Sequence, residues 1–231
     1  MFSSRIHSIV NPARLTHLPR TVTATVSASP AYYHRHLATS SVMSQATTQQ
    51  RISEPVKKDH REIEEYYHKI LNAKDEDEKT RWANQFTWEL ARHSVGEELV
   101  MYPRMKQVIE GGDAMVEKDL QEHQEVKEKL FKFQSMKAND PEFEPLLKSM
   151  WEGLSQHIKE EEENDLVKLE QELSNEESFD LAKKFHLTKM FAPTRSHPDA
   201  PNQPPFETVV GLLSAPLDKL RDAFSRFPKD E

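Results

Sequence analysis

Cysteine is absent from this 231-residue chain, which excludes a disulfide scaffold, a zinc ribbon, an iron–sulfur centre and a thiol nucleophile together. Any metal or reaction chemistry must use nitrogen and oxygen, and eleven histidines are available for it. Long apolar runs are missing too: none exceeds five residues, against the roughly 18 that a membrane span needs. There is no basic excess either. The formal charge is −8, so the electrostatic footprint of a nucleic-acid binder is not there. What remains is enough chain for one domain of about 100–150 residues with appendages.

Carboxylates are missing from one stretch only. Residues 1–53 carry five arginines and no acid, and the first carboxylate is Glu54. The rest of the chain then has 26 basic residues against 39 acidic, a net of −13. Nine serines and seven threonines accompany the arginines of this leader, the composition of a transit peptide, without the apolar segment of a secretory signal. The expectation is import into the mitochondrial matrix with removal of the leader. Met43 is a possible second start that would yield a cytosolic form.

From Glu54 to Glu172 proline and glycine are sparse and Glu, Lys, Leu, Gln and Ala abound, so the local preference is helical throughout. The apolar period agrees. Val56, His60, Ile63, Tyr67 and Ile70 make one stripe; Phe86, Leu90, His93, Glu97 and Val100 make a second, which Gly111–Gly112 is expected to stop. Val116, Leu120, His123, Val126, Leu130 and Phe133 make the third, and Leu147, Met150, Leu154, His157 and Glu161 the fourth, after a first-turn Pro141. The fold class expected is therefore all-α: an up-down-up-down antiparallel four-helix bundle over 54–174, with a C-terminal extension over 175–231. In that extension a short helix is expected over Asn175–Phe185 and a proline-rich strap over Thr188–Pro205. A final amphipathic helix, broken or started by Pro216, is expected to pack on the bundle.

Each stripe is interrupted by a histidine, and two of the four are followed one turn later by a glutamate: His60, His93-x-x-x-Glu97, His123 and His157-x-x-x-Glu161. An i, i+4 pair points imidazole and carboxylate the same way, about 6 Å apart. Counting from the turns puts the groups level in an antiparallel bundle, since His60 and His93 stand 13 and 14 residues from their shared turn and His123 and His157 16 each from theirs. Two ionised carboxylates buried without cations would cost several kcal/mol apiece, so the six residues read as a metal site. Four imidazoles and two carboxylates exceed the need of one ion, and carboxylates bridge, which favours two. Such donors suit iron first, then manganese or zinc. No nucleophile or acid–base pair independent of the metal is visible, so a metal-binding protein is favoured over a turnover enzyme.

With these residues in place, and with His93-Ser-Val-Gly-Glu97-Glu98-Leu-Val-Met-Tyr102-Pro103 looking like a second-helix signature, the sequence resembles the hemerythrin-like, or HHE cation-binding, family. The resemblance spans about Val56 to Leu173. It implies a non-haem di-iron centre with an oxo or hydroxo bridge, His60 and His93 on one iron, His123 and His157 on the other, Glu97 and Glu161 bridging, and O2, NO or peroxide as small ligands. One departure stands out: oxygen-carrying members have a fifth histidine one turn from the third-helix one, where this chain has Asp119 and Lys127. An iron buffer or sensor, and a redox-silent zinc bundle, are the alternative readings. Outside the set, Glu98 is read as an outer partner or a solvated side chain, Glu160–Glu163 as a run that ferries cations or, as charge runs more often are, a solvated face, and His68 as a surface residue. Pro103 is expected to kink the second helix near Leu99.

Overall fold

The computed structural model describes residues 49–200 and 206–229, with side chains in the latter stretch from residue 214 onward. Most of the expected leader, residues 1–48, lies outside the described residues. Helix α1 (Ser53–Leu71) turns back into α2 (Glu76–Gly96), which passes without a break through a π-helical turn (Glu97–Met101) into α3 (Tyr102–Val108). Helix α4 (Gly112–Phe133) follows, and then α5 (Phe143–Glu160), which passes through a second π-helical turn (Glu161–Asp165) into α6 (Leu166–Glu172). The result is the expected up-down-up-down bundle of four rods, α1 lying along α2 and α4 along α5.

Local chemistry sets the corners. Asp75 caps α2 by accepting from the Glu78 N–H at 2.8 Å. The rod expected to run to Gly111–Gly112 ends at Val108; Gly111 takes the left-handed conformation of the turn, φ 76°, and Gly112 opens α4. Pro141 lies in the turn two residues ahead of α5 rather than in its first turn.

Apolar side chains divide into two clusters. One, at the end where α1 turns into α2, includes Ile63, Tyr67, Phe86, Leu90, Phe133, Phe143 and Leu154. The other, at the opposite end, includes Val56, Met101, Tyr102, Val116, Leu120, Leu166 and Phe185. The four stripe histidines fall between them, His60 between Val56 and Ile63 and His123 between Leu120 and Val126. A polar slab thus crosses the middle of the core.

The C-terminal extension differs from expectation in three ways. Helix α7 (Asn175–Phe191), opened by a capping box of Ser174 and Glu177, is longer than expected and shortens the strap. Helix α8 (Phe206–Asp222) runs through Pro216 unbroken; a lone proline forfeits one backbone hydrogen bond, which the flanking turns tolerate. Its described leucines also do not lie on the bundle. Ala215 and Asp218 are buried, whereas Leu217, Leu220 and Phe224 are exposed.

Candidate metal centre

The slab brings all six sequence-predicted residues together, each at most 4% exposed. They sort into two groups. His60 and His93 meet edge to face at 4.8 Å between ring centroids, and His123 and His157 do the same at 4.9 Å. Glu97 joins the pairs: its Oε1 lies 3.0 Å from His93 Nε2 and 3.8 Å from His60 Nε2, and its Oε2 lies 3.5 Å from His123 Nε2. Ligand atoms of His60, His93 and Glu97 fall within 4.8 Å of one another, and so do those of Glu97, His123 and His157. Glu161 Oε2 sits 3.2 Å from His60 Nε2.

None of the four carboxylate oxygens of Glu97 and Glu161 has a hydrogen-bond partner, nor has His60 Nε2. Buried carboxylates left so are costly unless a cation is at hand. Four imidazole nitrogens and four unclaimed oxygens converging from four rods fit a pair of metal ions, with Glu97 placed to span them.

Each histidine turns its other nitrogen outward onto a carboxylate. His60 Nδ1 meets Glu162 at 2.9 Å, His93 Nδ1 meets Asp59 at 3.2 Å, His123 Nδ1 meets Glu98 at 2.7 Å and His157 Nδ1 meets Glu122 at 2.8 Å. Such carboxylates fix the tautomer, so that Nε2 presents its lone pair inward, and raise its basicity toward a metal. Every one of the four is matched by a cation: Glu162 by Arg61 at 2.5 Å, Glu98 by Lys127 at 2.5 Å, Glu122 by Lys118 at 2.9 Å and Asp59 by Lys189. Lys189 comes from α7 and also holds Glu89 at 2.5 Å. Helix α7 gets this close because Gly96 has no side chain; a β-carbon there would meet the Phe185 ring at 2.7 Å.

These contacts set the proton balance. Burial opposes a charge on His93, but the Glu97 carboxylate and the bond to Asp59 prevail and hold its pKa up at about 10. Burial is likewise outweighed at His157 by Glu122, Glu161 and Glu97, which keep it at about 9. At Glu161 burial pushes the other way, yet His60 and its neighbours pull the carboxyl down to about 2. Without metal, then, protons on His93 and His157 offset the buried carboxylates.

Of the outer ring, sequence reasoning offered only Glu98, and that as one of two readings. Glu98, equally open to a solvated reading, is 1% exposed and bonded to His123, and Glu162, placed in a solvated run, holds His60. The signal was present as a longer repeat: an acid immediately before the first histidine of each half (Asp59-His60, Glu122-His123) and a doubled glutamate after the second (Glu97-Glu98, Glu161-Glu162). The π turns carried no such signal. Each begins at a glutamate of the inner set, with Tyr102 N–H bonding the Glu97 carbonyl and Leu166 N–H that of Glu161. The extra residue seats Tyr102, rather than Met101, one turn beyond Glu97, as π-bulges at functional sites often re-aim a side chain. Its hydroxyl lies 2.9 Å from His123 Nε2. Pro103, which cannot donate to Leu99, follows the first π turn, where only a kink was expected. His68 is exposed, as expected, and His197 meets Asp218 at 2.8 Å, away from the centre.

Residues 51–169 match the hemerythrin HHE cation-binding domain. An uncharacterized hemerythrin-like protein of Schizosaccharomyces pombe is 56% identical over 179 residues, 77% of this chain and 88% of that protein. A DNA nickase of Nostoc sp. is 23% identical over 154 residues, 66% of this chain but 43% of that protein. Among solved structures, an HHE cation-binding domain-containing protein from Mycobacterium kansasii superposes with a TM-score of 0.53 at 21% identity, covering 61% of this chain and 86% of that one. That likeness concerns the fold.

Proposed function

This chain belongs to the hemerythrin HHE cation-binding family, and we propose that its metal centre is a non-haem di-iron pair with an oxo or hydroxo bridge that binds O2, NO or peroxide. The observation that carries the reading is the set of four partnerless oxygens on Glu97 and Glu161 among four imidazoles. His60 and His93 would hold one iron, His123 and His157 the other, and the two glutamates would be shared. Bound there, the iron pair supplies redox change and coordination positions for a small ligand, since two imidazoles and two shared carboxylates do not fill the shell of either ion.

The chain's own residues do the rest. The four outer carboxylates hold the Nδ1 protons, so that each Nε2 is aimed inward and would ligate once an incoming ion displaces its proton. The two apolar clusters close the slab from both ends and exclude bulk water. Tyr102 adds a hydroxyl at the rim: burial, then the charges of Glu97 and Glu161, raise its pKa well above the usual value, so it stays a neutral O–H donor next to His123. This donor would orient a small anionic or polarised ligand from the His123 side.

The test is anaerobic reconstitution of the full chain with Fe2+, counting bound metal and recording the spectrum as oxygen is admitted. Two irons per chain and the near-ultraviolet and visible absorption of an oxygen-bridged ferric pair are expected, and reversal on degassing separates reversible binding from one-way oxidation. Absence of stoichiometric iron, or preferential retention of spectroscopically silent zinc, would move the assignment to a structural bundle. An iron buffer or sensor is the second reading, favoured by the same unpaired oxygens, because the slab gains partners only when metal arrives. The acid-free, arginine-rich leader supports import into the mitochondrial matrix, with a cytosolic form from Met43. Fusion of residues 1–53 to a fluorescent protein tests it by whether the fusion co-localises with mitochondria.

A further inference from the structure

The two halves of the centre match residue for residue, Asp59, His60, His93, Glu97 and Glu98 standing to one half as Glu122, His123, His157, Glu161 and Glu162 stand to the other. The match fails in the layer just beyond. Four residues before His60 is Val56 and four residues after Glu97 is Met101, both fully buried and apolar. The corresponding positions, four residues before His123 and four after Glu161, hold Asp119 and Asp165, 2% and 7% exposed. An apolar pair serves the packing of one half, so packing alone does not call for two acids in the other.

Asp119 Oδ2 is buried without a hydrogen-bond partner. Its carboxylate groups with Glu122 and His157, ligand atoms of all three lying within 4.8 Å of one another, rather than with Glu97, His123 and His157. This group adjoins the six-residue centre through His157, which belongs to both. Glu122 is 31% exposed at its side chain and shares Lys118 with Glu160, which is 37% exposed. Burial thus deepens from Glu160 and Glu122, through Asp119 and Asp165, to the fully buried Glu161. Burial and the charge of Asp165 raise the Asp119 carboxyl to about 7, and burial and the charge of Glu161 raise Asp165 to about 6, as in a pocket short of positive charge.

We propose that Asp119 and Glu122, with the buried Asp165 adding negative charge behind them, form a transit site for a hard divalent cation, by which metal reaches the six-residue centre through His157 from the α4–α5 side. Oxygen donors without sulfur suit Fe2+ or Mn2+ held loosely and passed on. The proposal is separate from the identity of the resident metal.

The experiment follows anaerobic transfer of Fe2+ from a chromophoric chelator into metal-free full-length protein by stopped flow, with the final occupancy measured by elemental analysis. Asp119→Asn and Asp165→Asn should each slow loading about tenfold or more, while two ions are still bound at the end. Glu117→Gln, which removes an exposed charge nearby, should leave the rate within about twofold. The amide variants should match or exceed the wild-type melting temperature before metal is added, since each removes a poorly compensated buried acid. Unchanged loading in both aspartate variants would overturn the proposal. So would equal slowing in Glu117→Gln, which would mean bulk attraction, a lost ion at the end point, which would make Asp119 a resident ligand, or a lowered metal-free melting temperature, which would make the pair structural. Wild-type protein that takes up no iron would overturn the di-iron reading along with this one.

Discussion

Glu162 is the cleanest place to test the outer ring. Its Oε1 accepts from His60 Nδ1 at 2.9 Å and from Arg61 at 2.5 Å. Arg61 is 58% exposed, so removing the glutamate charge returns it to water at little cost, whereas loss of Glu98 or Asp59 would strand the nearly buried Lys127 or Lys189. Glutamine keeps a carbonyl for the imidazole N–H and removes only the charge; alanine removes both. Losing such a partner costs roughly 10- to 100-fold in metal affinity, or about 1.4–2.7 kcal/mol. Glu162→Gln should fall near the lower figure and Glu162→Ala near the upper. Competition with a calibrated chelator measures it, using Zn2+ or Mn2+ so that oxidation does not interfere. The exposed Glu163→Gln serves as the control. An affinity within about twofold of wild type in Glu162→Ala, with the fold intact, would refute the claim that this carboxylate tunes His60.

Four further outcomes follow from the same geometry. With His93 and His157 held near 10 and 9, metal loading at pH 7 must displace protons from both; uptake in weakly buffered solution should release at least two per chain, and affinity should climb as pH rises from 6 to 8. The linkage to metal-free stability has the opposite sign: raised histidine values stabilise the fold fully below about 6.5 and cease to do so as pH passes 9 to 10, so the metal-free melting temperature should fall over that range and the loaded protein's should not. His93→Ala or His157→Ala should abolish binding of the second ion, and two irons in both variants would refute the ligand set. Tyr102→Phe should leave metal stoichiometry at two but shift the small-ligand spectrum and weaken ligand binding by about fivefold to tenfold, the worth of one hydrogen bond.

The inner set was legible because periodicity and antiparallel geometry are enough to find it: residues level with one another on four apolar stripes must meet. The bundle followed from the same stripes. The outer carboxylates were harder, because adjacent helical residues point about 100° apart and a doubled glutamate reads as one inward and one solvated side chain. Glu98 escapes that rule because its π turn opens just where the pair sits, and a π turn depends on tertiary context more than on propensity. Lys189 was invisible for another reason. Its partner Asp59 lies 130 residues away, and α7 reaches it only through the gap that Gly96 leaves. The exposed leucines of α8 show the limit in reverse, since a helical apolar stripe states that a face exists and not where it is placed.

The slab also ties metal to folding in a way that neither apolar cluster does alone. Clusters above and below it could each pack without the other, but every rod contributes to both and crosses six buried polar side chains in between. In the metal-free chain that crossing is held by imidazolium–carboxylate contacts, which need several protons in low-dielectric surroundings and leave four oxygens unpaired. Replacing those protons with two divalent ions satisfies the oxygens and links all four rods through shared ligands. Local opening should therefore concentrate at the slab in the metal-free protein. Amide hydrogen exchange should report it as protection gained on loading that is largest across the two π turns, which begin at the inner glutamates, and smallest at Phe133 and Phe143, whose rings pack 4.6 Å apart in the apolar cluster away from the slab.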